Sequence, residues 1–108
     1  MEDEALSRMS LTEVSAAIAK RKVSSQEVVQ NNLAQLKKHG SSLNCLARLF
    51  SENVLEDAKK ADQELASGNS RGRLHGVPLT HKDMFYRAGQ ITACGAKICE
   101  SYFPQTTA

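Results

Sequence analysis

The sequence predicts an α/β fold in which helices pack on a sheet. Three observations predict it: two stretches that each begin with a serine capping box, a third apolar repeat at helical spacing, and a later run in which apolar and polar residues alternate. Helices are therefore expected first, at about residues 10–68, and a strand is expected at about residues 76–83.

The first predicted helix begins after Ser10, and Glu13 three residues later completes a capping box. The basic residues 20–22 suit the C-terminal end of this helix, where the helix dipole is negative. Its predicted buried face consists of Leu11, Val14, Ala17 and Ile18.

The second predicted helix begins after Ser24, with Glu27 again three residues later. The His-Gly pair at residues 39–40 predicts its end, because glycine takes a left-handed conformation at little cost. The neighbouring serines Ser24 and Ser25 also admit a nucleophile interpretation, but no base stands near them in sequence, so an N-cap is the better interpretation. The predicted buried stripe is Val29, Leu33 and Leu36.

Residues 43–50 carry apolar side chains on both faces, which predicts an extended segment with Cys45 as a small core residue. Ser51 is then predicted to cap a third helix that ends at Gly68 and whose charged face is solvated. The loop at residues 68–73 lacks the Gly-Lys-Ser/Thr ending of a phosphate loop and is predicted to be a flexible connection. The predicted buried repeat of the third helix is Val54, Ala58, Ala61 and Leu65.

The run after this loop is predicted to be the strand around which the chain is organised. Val77 and Leu79 alternate with Pro78 and Thr80, as in a half-buried strand. Because Pro78 has no N–H to donate, the strand should begin there or lie at an edge. Lys82 is then expected at the carboxyl end of the strand, where open α/β sheets place their ligand sites. Residues 91–95 predict a second short extended piece.

Lys82 has two interpretations on these grounds. A lysine at the end of a strand is ordinarily a solvated surface group. It can act as a general base only where burial or a nearby cation lowers its pKa from about 10.4 towards neutrality. Asp83 would oppose this if it faced the amine, but successive side chains of an extended chain point to opposite faces, so Asp83 could instead fix the following turn.

Residues 72–83 read Gly-Arg-Leu-His-Gly-Val-Pro-Leu-Thr-His-Lys-Asp, with Ala-Gly at 88–89 and Thr-Ala-Cys-Gly at 92–95. This pattern resembles the first catalytic segment of the amidase signature enzymes, a family that includes the A subunit of glutamyl-tRNA(Gln) amidotransferase. The resemblance runs over the chain from about Ser10. It implies a layered α/β/α sandwich, of which residues 1–108 would be the N-terminal portion of a single domain. It also implies a catalytic role for Lys82 in a Ser, cis-Ser, Lys triad.

The chain departs from the family in one large respect. Both triad serines of such enzymes lie in a downstream Gly/Ser-rich segment, and residues 1–108 contain no such run. We therefore expect an incomplete amidase portion that is inactive alone and, because it would expose apolar strand edges, marginally stable or aggregation-prone. In the complete enzyme the resemblance implies carboxamide hydrolysis or transfer of amide-derived ammonia. The alternative is a small non-enzymatic helical interaction module that retained an amidase-like segment.

Composition excludes several other classes. With 41% hydrophobic and 24% charged residues the chain is of globular type, and a net charge of +2 with scattered basic residues does not indicate a nucleic-acid partner. Three irregularly spaced cysteines fit neither a disulfide framework nor a zinc site, so no metal or cofactor is predicted. No signal-peptide pattern or membrane-length apolar run is found, and the expected location is the cytoplasm. The aromatic residues expected to fill the core are Phe85, Tyr86, Tyr102 and Phe103.

The resemblance also implies partners. A small-molecule amide would be the substrate of the complete enzyme, and a second copy of the chain or other amidotransferase subunits would be its protein partners. No direct contact with nucleic acid or membrane is predicted from the sequence.

Overall fold

The computed structural model describes residues 3–108. The chain divides into two compact units, a helical unit that ends at Pro78 and a C-terminal unit, Leu79–Ala108. The helical unit holds the α-helices, and the C-terminal unit holds a 3₁₀ turn at Lys97–Cys99. The α-helices are α1 (Asp3–Arg8), α2 (Leu11–Ala19), α3 (Ser25–Leu43) and α4 (Ser51–Ala66).

The predicted starts of α2 and α3 are confirmed. The Ser10 hydroxyl oxygen accepts the Glu13 N–H, while the Glu13 carboxylate accepts the Ser10 N–H at 2.8 Å. Ser24 and Glu27 form the same reciprocal pair at the start of α3. Each box satisfies two of the N–H groups that a helix start leaves without intrahelical partners, which is why both helices begin where the sequence predicts.

Two clusters of buried side chains form the core of the helical unit, and α3 packs against both α1 and α4. The predicted faces of the helices are largely confirmed, although Leu11 is 52% exposed and α1, which adds Leu6 to the core, was not predicted. The first cluster consists of Leu6, Val14, Ala17, Ile18, Val23 and Val28, with Met9, Leu65 and Val77 packed against it. The second consists of Val29, Leu33 and Ala58, with Val54 and Leu55 packed against it.

Helix α3 continues past its predicted end at residues 39–40 and stops at Leu43. Asn44 supplies the left-handed cap, with φ 49°. Gly40 lies inside the helix, where a Cβ would stand 2.9 Å from Leu46 Cδ1, the end of a flexible side chain. The helix therefore ends where Asn44, and not Gly40, takes the left-handed conformation.

The start of α4 also differs from the prediction. Ser51 is its first helical residue, and Phe50 occupies the cap position without a side-chain hydrogen bond. Cys45, predicted to lie in the core, is exposed.

None of the predicted extended segments forms a strand within residues 3–108. The segment at residues 43–50 begins with the last residue of α3 and continues as turns and irregular backbone, and the segments at residues 76–83 and 91–95 consist of turns and irregular backbone throughout. Alternation marks a segment that suits a sheet, but a strand requires a second strand to pair with it. In the described part of the chain, residues 79–81 make no backbone hydrogen bond. The helical part of the predicted fold class is confirmed, and the strand assignments are wrong for this structure.

The C-terminal unit is stabilised by the backbone hydrogen bonds of its turns and contains few buried residues. One of them is Thr92, which is 2% exposed. The prediction that its aromatic residues fill a core is wrong, since the four side chains are 41–56% exposed. Across residues 3–108, no helix has both the length and the apolar character needed to cross a bilayer.

Candidate functional site

The amidase-like stretch at residues 72–83 is divided between the two units. Its first part, to Pro78, belongs to the helical unit, and its second part, which carries Lys82 and Asp83, belongs to the C-terminal unit.

His75 is buried in the helical unit and uses both ring nitrogens. Its Nδ1 accepts the Arg71 N–H at 3.0 Å, and its Nε2 lies 2.7 Å from the Ala61 carbonyl oxygen on α4. Because a backbone N–H only donates and a carbonyl only accepts, these contacts require the tautomer with the proton on Nε2. Both ring nitrogens are thereby occupied, so His75 fastens the loop to α4 and has no site left for a metal or a substrate.

Helix α3 begins against a carboxylate from α4. Asp62 Oδ1 accepts the Ser25 N–H at 2.7 Å, and Oδ2 accepts the Gln26 N–H at 3.1 Å. The carboxylate also lies at the positive end of the α3 dipole, where negative charge is favourable. The Ser25 hydroxyl, on a residue 1% exposed, donates in turn to the Gly76 carbonyl. Ser25, Asp62, His75 and Gly76 are referred to below as the clasp.

Gly76 is required by the geometry of the clasp. Its φ is +75°, and a Cβ at this position would stand 3.1 Å from Ser25 Cβ and 3.4 Å from Ile18 Cγ2. A left-handed backbone and a close approach to two helices thus coincide at one residue, and glycine alone meets both conditions without strain.

The connection before the clasp is fastened at two further points. The Ser15 hydroxyl on α2 donates to the Arg73 carbonyl, and Arg71 Nε lies 2.7 Å from Glu64 Oε2 on α4. Residues 71–76 are therefore held by α2, α3 and α4, in contrast to the flexible connection that the sequence predicts for residues 68–73.

A cleft of about 360 Å³ lies beside the clasp in the helical unit. The groups in its lining that could act as nucleophile or base are the Ser25 hydroxyl, the His75 ring and the Asp57 carboxylate. The Ser25 hydroxyl and the His75 ring are engaged in structural hydrogen bonds with main-chain groups, and Asp57 Oδ1 lies 3.8 Å from Lys60 Nζ on the same helix. The cleft therefore does not pair its serine with a base. Its apolar lining includes Val29, Val54, Ala58, Leu74 and Pro78.

Lys82 begins a tight turn in the C-terminal unit. Its carbonyl oxygen accepts the Met84 N–H at 2.7 Å and the Phe85 N–H at 3.2 Å, while its side chain is exposed. The main chain at Lys82 is thus fixed and its amine is accessible. The catalytic role of Lys82 stays a prediction.

Asp83 is half-buried and contacts a loop farther along the chain. Its carbonyl accepts the Cys94 N–H at 2.9 Å, and its Oδ1 accepts the Ala93 N–H at 3.4 Å. The sequence suggests that Asp83 fixes the next turn, and the structure shows its carboxylate joined to a turn ten residues ahead.

Tyr86 and Tyr102 pack with ring centroids 5.7 Å apart. The side-chain hydrogen bond with Tyr102 raises the pKa of Tyr86, and the charge on Tyr102 acts in the same direction. Tyr86 therefore stays protonated at neutral pH and is no candidate for a base.

Within residues 3–108, no group of three or more His, Cys, Asp or Glu side chains could hold a metal ion.

The sequence analysis misses Asp62, and it interprets Ser25 together with Ser24 as an N-cap, whereas Ser24 alone caps α3 and Ser25 belongs to the clasp. The signal for Asp62 lies in its position, because it shares the buried face of α4 with Ala58 and Ala61 and lies off the charged face. An acidic residue on an apolar stripe requires a partner, and the nearest candidates are the N–H groups of a helix start. No comparable signal marks Ser25, whose bond to Gly76 spans 51 residues.

Comparison with known proteins adds a family match. The family model for Amidase matches residues 27–108, which include the clasp residue His75 as well as Lys82 and Asp83. The chain is 39% identical over 93 residues to the A subunit of glutamyl-tRNA(Gln) amidotransferase from Aromatoleum aromaticum, covering 86% of this chain and 19% of that protein. It is 34% identical over 104 residues to a Mycobacterium bovis protein with the provisional name amidase AmiD, covering 96% of this chain and 22% of that protein. The chain thus spans about a fifth of the length of these relatives.

Proposed function

Because the chain belongs to the amidase family, we propose that it supplies the lysine of an amide-cleaving site, with Lys82 as the general base. The observation that carries this proposal is the family match across the Lys-Asp pair at residues 82–83. The Lys82 main chain is fixed by hydrogen bonds and its side chain is exposed within residues 3–108, so the burial or the nearby cation that a general base needs would have to come from the rest of the domain.

The reaction requires serines that residues 1–108 do not place in a Gly/Ser-rich run. In a complete amidase domain, neutral Lys82 would take the proton of the cis-Ser hydroxyl, which would take the proton of the nucleophilic Ser. That serine oxygen would bond to the amide carbon, and the proton taken up by Lys82 would return through the cis-Ser to the amide nitrogen as the C–N bond breaks, so that ammonia leaves. Water would then cleave the acyl-enzyme and release the acid, and in an amidotransferase the ammonia would go on to an acceptor. Residues 1–108 alone would be inactive.

The fold, partners and location follow the same proposal. We propose that residues 1–108 form the N-terminal portion of one amidase domain, and that residues 79–81 pair as part of a layered α/β/α sandwich when the rest of the domain is present. Relatives that bear the name of an amidotransferase A subunit support other amidotransferase subunits as partners. A small carboxamide would be the substrate and the cytoplasm the location, with no cofactor required.

A second candidate function is a non-enzymatic interaction module. The observation that favours it is the helical unit itself, which has its own core and a clasp whose hydrogen bonds close within residues 25–76. This candidate requires no serine and no catalytic lysine.

The test is ammonia release by the protein translated from the whole reading frame that encodes these residues. Glutamine and simple carboxamides would be the substrates, and Lys82→Ala and Lys82→Arg would be compared with Lys97→Ala, which removes another exposed lysine of the C-terminal unit. We expect about a 10²–10⁴-fold loss of kcat for both Lys82 variants and no loss for Lys97→Ala. Turnover retained by Lys82→Ala would overturn the role of Lys82. If the translated protein released no ammonia from any of these substrates, the interaction module would be favoured.

A further inference from the structure

Lys82 is an exposed side chain on a well-fixed main chain, and the fixing extends to the residue that follows it. The Lys82 carbonyl closes the turn to Met84 and Phe85. Asp83 then accepts two hydrogen bonds from consecutive residues, through its carbonyl from Cys94 and through its carboxylate from Ala93. These contacts join the Lys82 turn to a second turn within the same unit, Leu79–Ala108.

The second turn is itself constrained. Cys94 has φ 52° and Gly95 has φ 70°, so two consecutive residues are left-handed. A left-handed non-glycine residue costs about 1–2 kcal/mol, so the turn needs hydrogen bonds that hold it in place. The Ala96 N–H donates to the Ala93 carbonyl at 2.8 Å. The strained turn therefore presents the N–H groups of residues 93 and 94 towards a single acceptor residue, Asp83.

The far side of this turn is anchored to the best-buried group of the unit. Thr92 is 2% exposed, and its N–H donates to the Tyr102 carbonyl at 3.0 Å. Asp83 thus contacts a turn that is held on its other side by Thr92. The Asp83 carbonyl makes the shorter of the two attachments, 2.9 Å to the Cys94 nitrogen, and the Asp83 carboxylate adds a longer one, 3.4 Å to the Ala93 nitrogen.

We propose that Asp83 is the positioning residue for Lys82. Its carboxylate and carbonyl hold residues 93–94, and this attachment fixes the main chain that carries the amine. The catalytic part of the inference rests on the proposed amidase function, whereas the attachment itself can be tested without activity. The pairing also explains why an acidic residue directly follows the lysine: its carboxylate serves the backbone of the 92–95 turn.

The first test measures hydrogen exchange of single amides in the 108-residue chain. Asp83→Ala should speed exchange of the Ala93 amide about fivefold or more, because it removes the carboxylate acceptor. Asp83→Asn should keep most of the protection, because an amide oxygen still accepts. The matched control is Glu100→Ala, an exposed acidic residue of the same unit. Amides of α3 should be unchanged in every variant, which shows that the helical unit is folded.

The second test uses the complete enzyme. Asp83→Ala should lower kcat about 10- to 100-fold with KM little changed, and Asp83→Asn should recover most of the loss, because a displaced general base costs turnover more than binding. Unchanged exchange at Ala93, or equal kcat in Asp83→Ala and wild type, would overturn the inference. Turnover retained by Lys82→Ala would overturn the amidase proposal while leaving the exchange result in place, so the two failures are distinguishable.

Discussion

The helical unit buries a hydrophobic core, whereas the C-terminal unit leaves most of its large hydrophobic side chains exposed. Every hydrophobic core residue found within residues 3–108 lies in the helical unit, between Leu6 and Ala61. The C-terminal unit exposes seven large hydrophobic side chains within thirty residues. These are Leu79, Met84, Phe85, Tyr86, Ile98, Tyr102 and Phe103.

The contrast follows from where each unit finds its partners. A helix satisfies its backbone locally and needs only a neighbouring helix to bury one face, and α1 to α4 supply those neighbours. A segment suited to a sheet needs strands on its edges, and within the described chain residues 79–81 have none. The family match covers the whole C-terminal unit, in relatives about five times longer. Within the described chain, the apolar residues of that unit thus lack packing partners.

The largest predicted effect compares two isoleucines. Ile18 is 1% exposed in the helical unit, and Ile98 is 94% exposed in the C-terminal unit. Ile18→Ala should lower the free energy of unfolding by about 2–5 kcal/mol, because it leaves a cavity in the core. Ile98→Ala should change it by less than about 0.5 kcal/mol. Chemical denaturation followed by far-ultraviolet circular dichroism measures both changes. Similar losses in the two variants would contradict the claim that only the helical unit has a hydrophobic core within the described residues.

The next effect isolates the clasp by comparing two glycines with positive φ. Gly76→Ala should lower the free energy of unfolding by about 2–4 kcal/mol, because the left-handed conformation and the contacts with Ser25 and Ile18 both oppose a Cβ. Gly68 has φ +83°, but a Cβ added there would meet no atom within 4 Å. Gly68→Ala should therefore cost only about 1–2 kcal/mol, from the backbone conformation alone. Equal losses in the same denaturation experiment would show that crowding at the clasp is unimportant.

A third comparison uses two histidines of the amidase-like stretch. His75→Ala removes a buried ring, leaves the part-buried Arg71 N–H without its acceptor and should cost about 1–3 kcal/mol. His81 is exposed, and His81→Ala should cost less than about 0.5 kcal/mol. Thermal denaturation of the two variants measures the difference. A larger loss for His81 would contradict the structural role assigned to His75.

The smallest effect concerns pH. The Ser24 backbone N–H, followed by the Ser24 hydroxyl, lowers the pKa of Glu27 below its ordinary value of 4.5. A lowered carboxyl pKa gives a stabilising contribution that is present above 4.5 and lost as the pH falls through the folded value. Glu27→Gln should therefore reduce the loss of helix stability between about pH 5 and pH 3. The reduction should be small, because the carboxylate is exposed. Circular dichroism at 222 nm as a function of pH measures this decline, for which Glu56→Gln, also exposed, is the control and should leave it unchanged.

The two units also differ in how well the sequence predicts them. The capping boxes at Ser10 and Ser24 depend on residues three positions apart, and both helix starts are predicted correctly. The end of α3 is mispredicted because both Gly40 and Asn44 suit a left-handed cap, and the structure uses Asn44. The strand over residues 76–83 is mispredicted because alternation reports suitability for a sheet and not the presence of a partner.

The candidate site shows the same limit. The Lys-Asp pair is recognisable because it lies in one continuous motif. The contacts of Asp83 and those of the clasp are each distant in sequence, from 10 residues for Asp83 to Ala93 to 51 residues for Ser25 to Gly76. Among these contacts, only that of Asp62 has a local sequence signal, because Asp62 is an acidic residue on an apolar helix face.

Hydrogen exchange across the whole 108-residue chain tests the division into two units most directly. We predict that amides in the middle of α3 exchange about 10²-fold or more slowly than amides of residues 79–81, because the former are bonded within a packed helix and the latter lack backbone partners in the described chain. Protection of residues 79–81 equal to that of α3 would contradict the account, since it would show that the C-terminal unit already has the interactions described here as unmet.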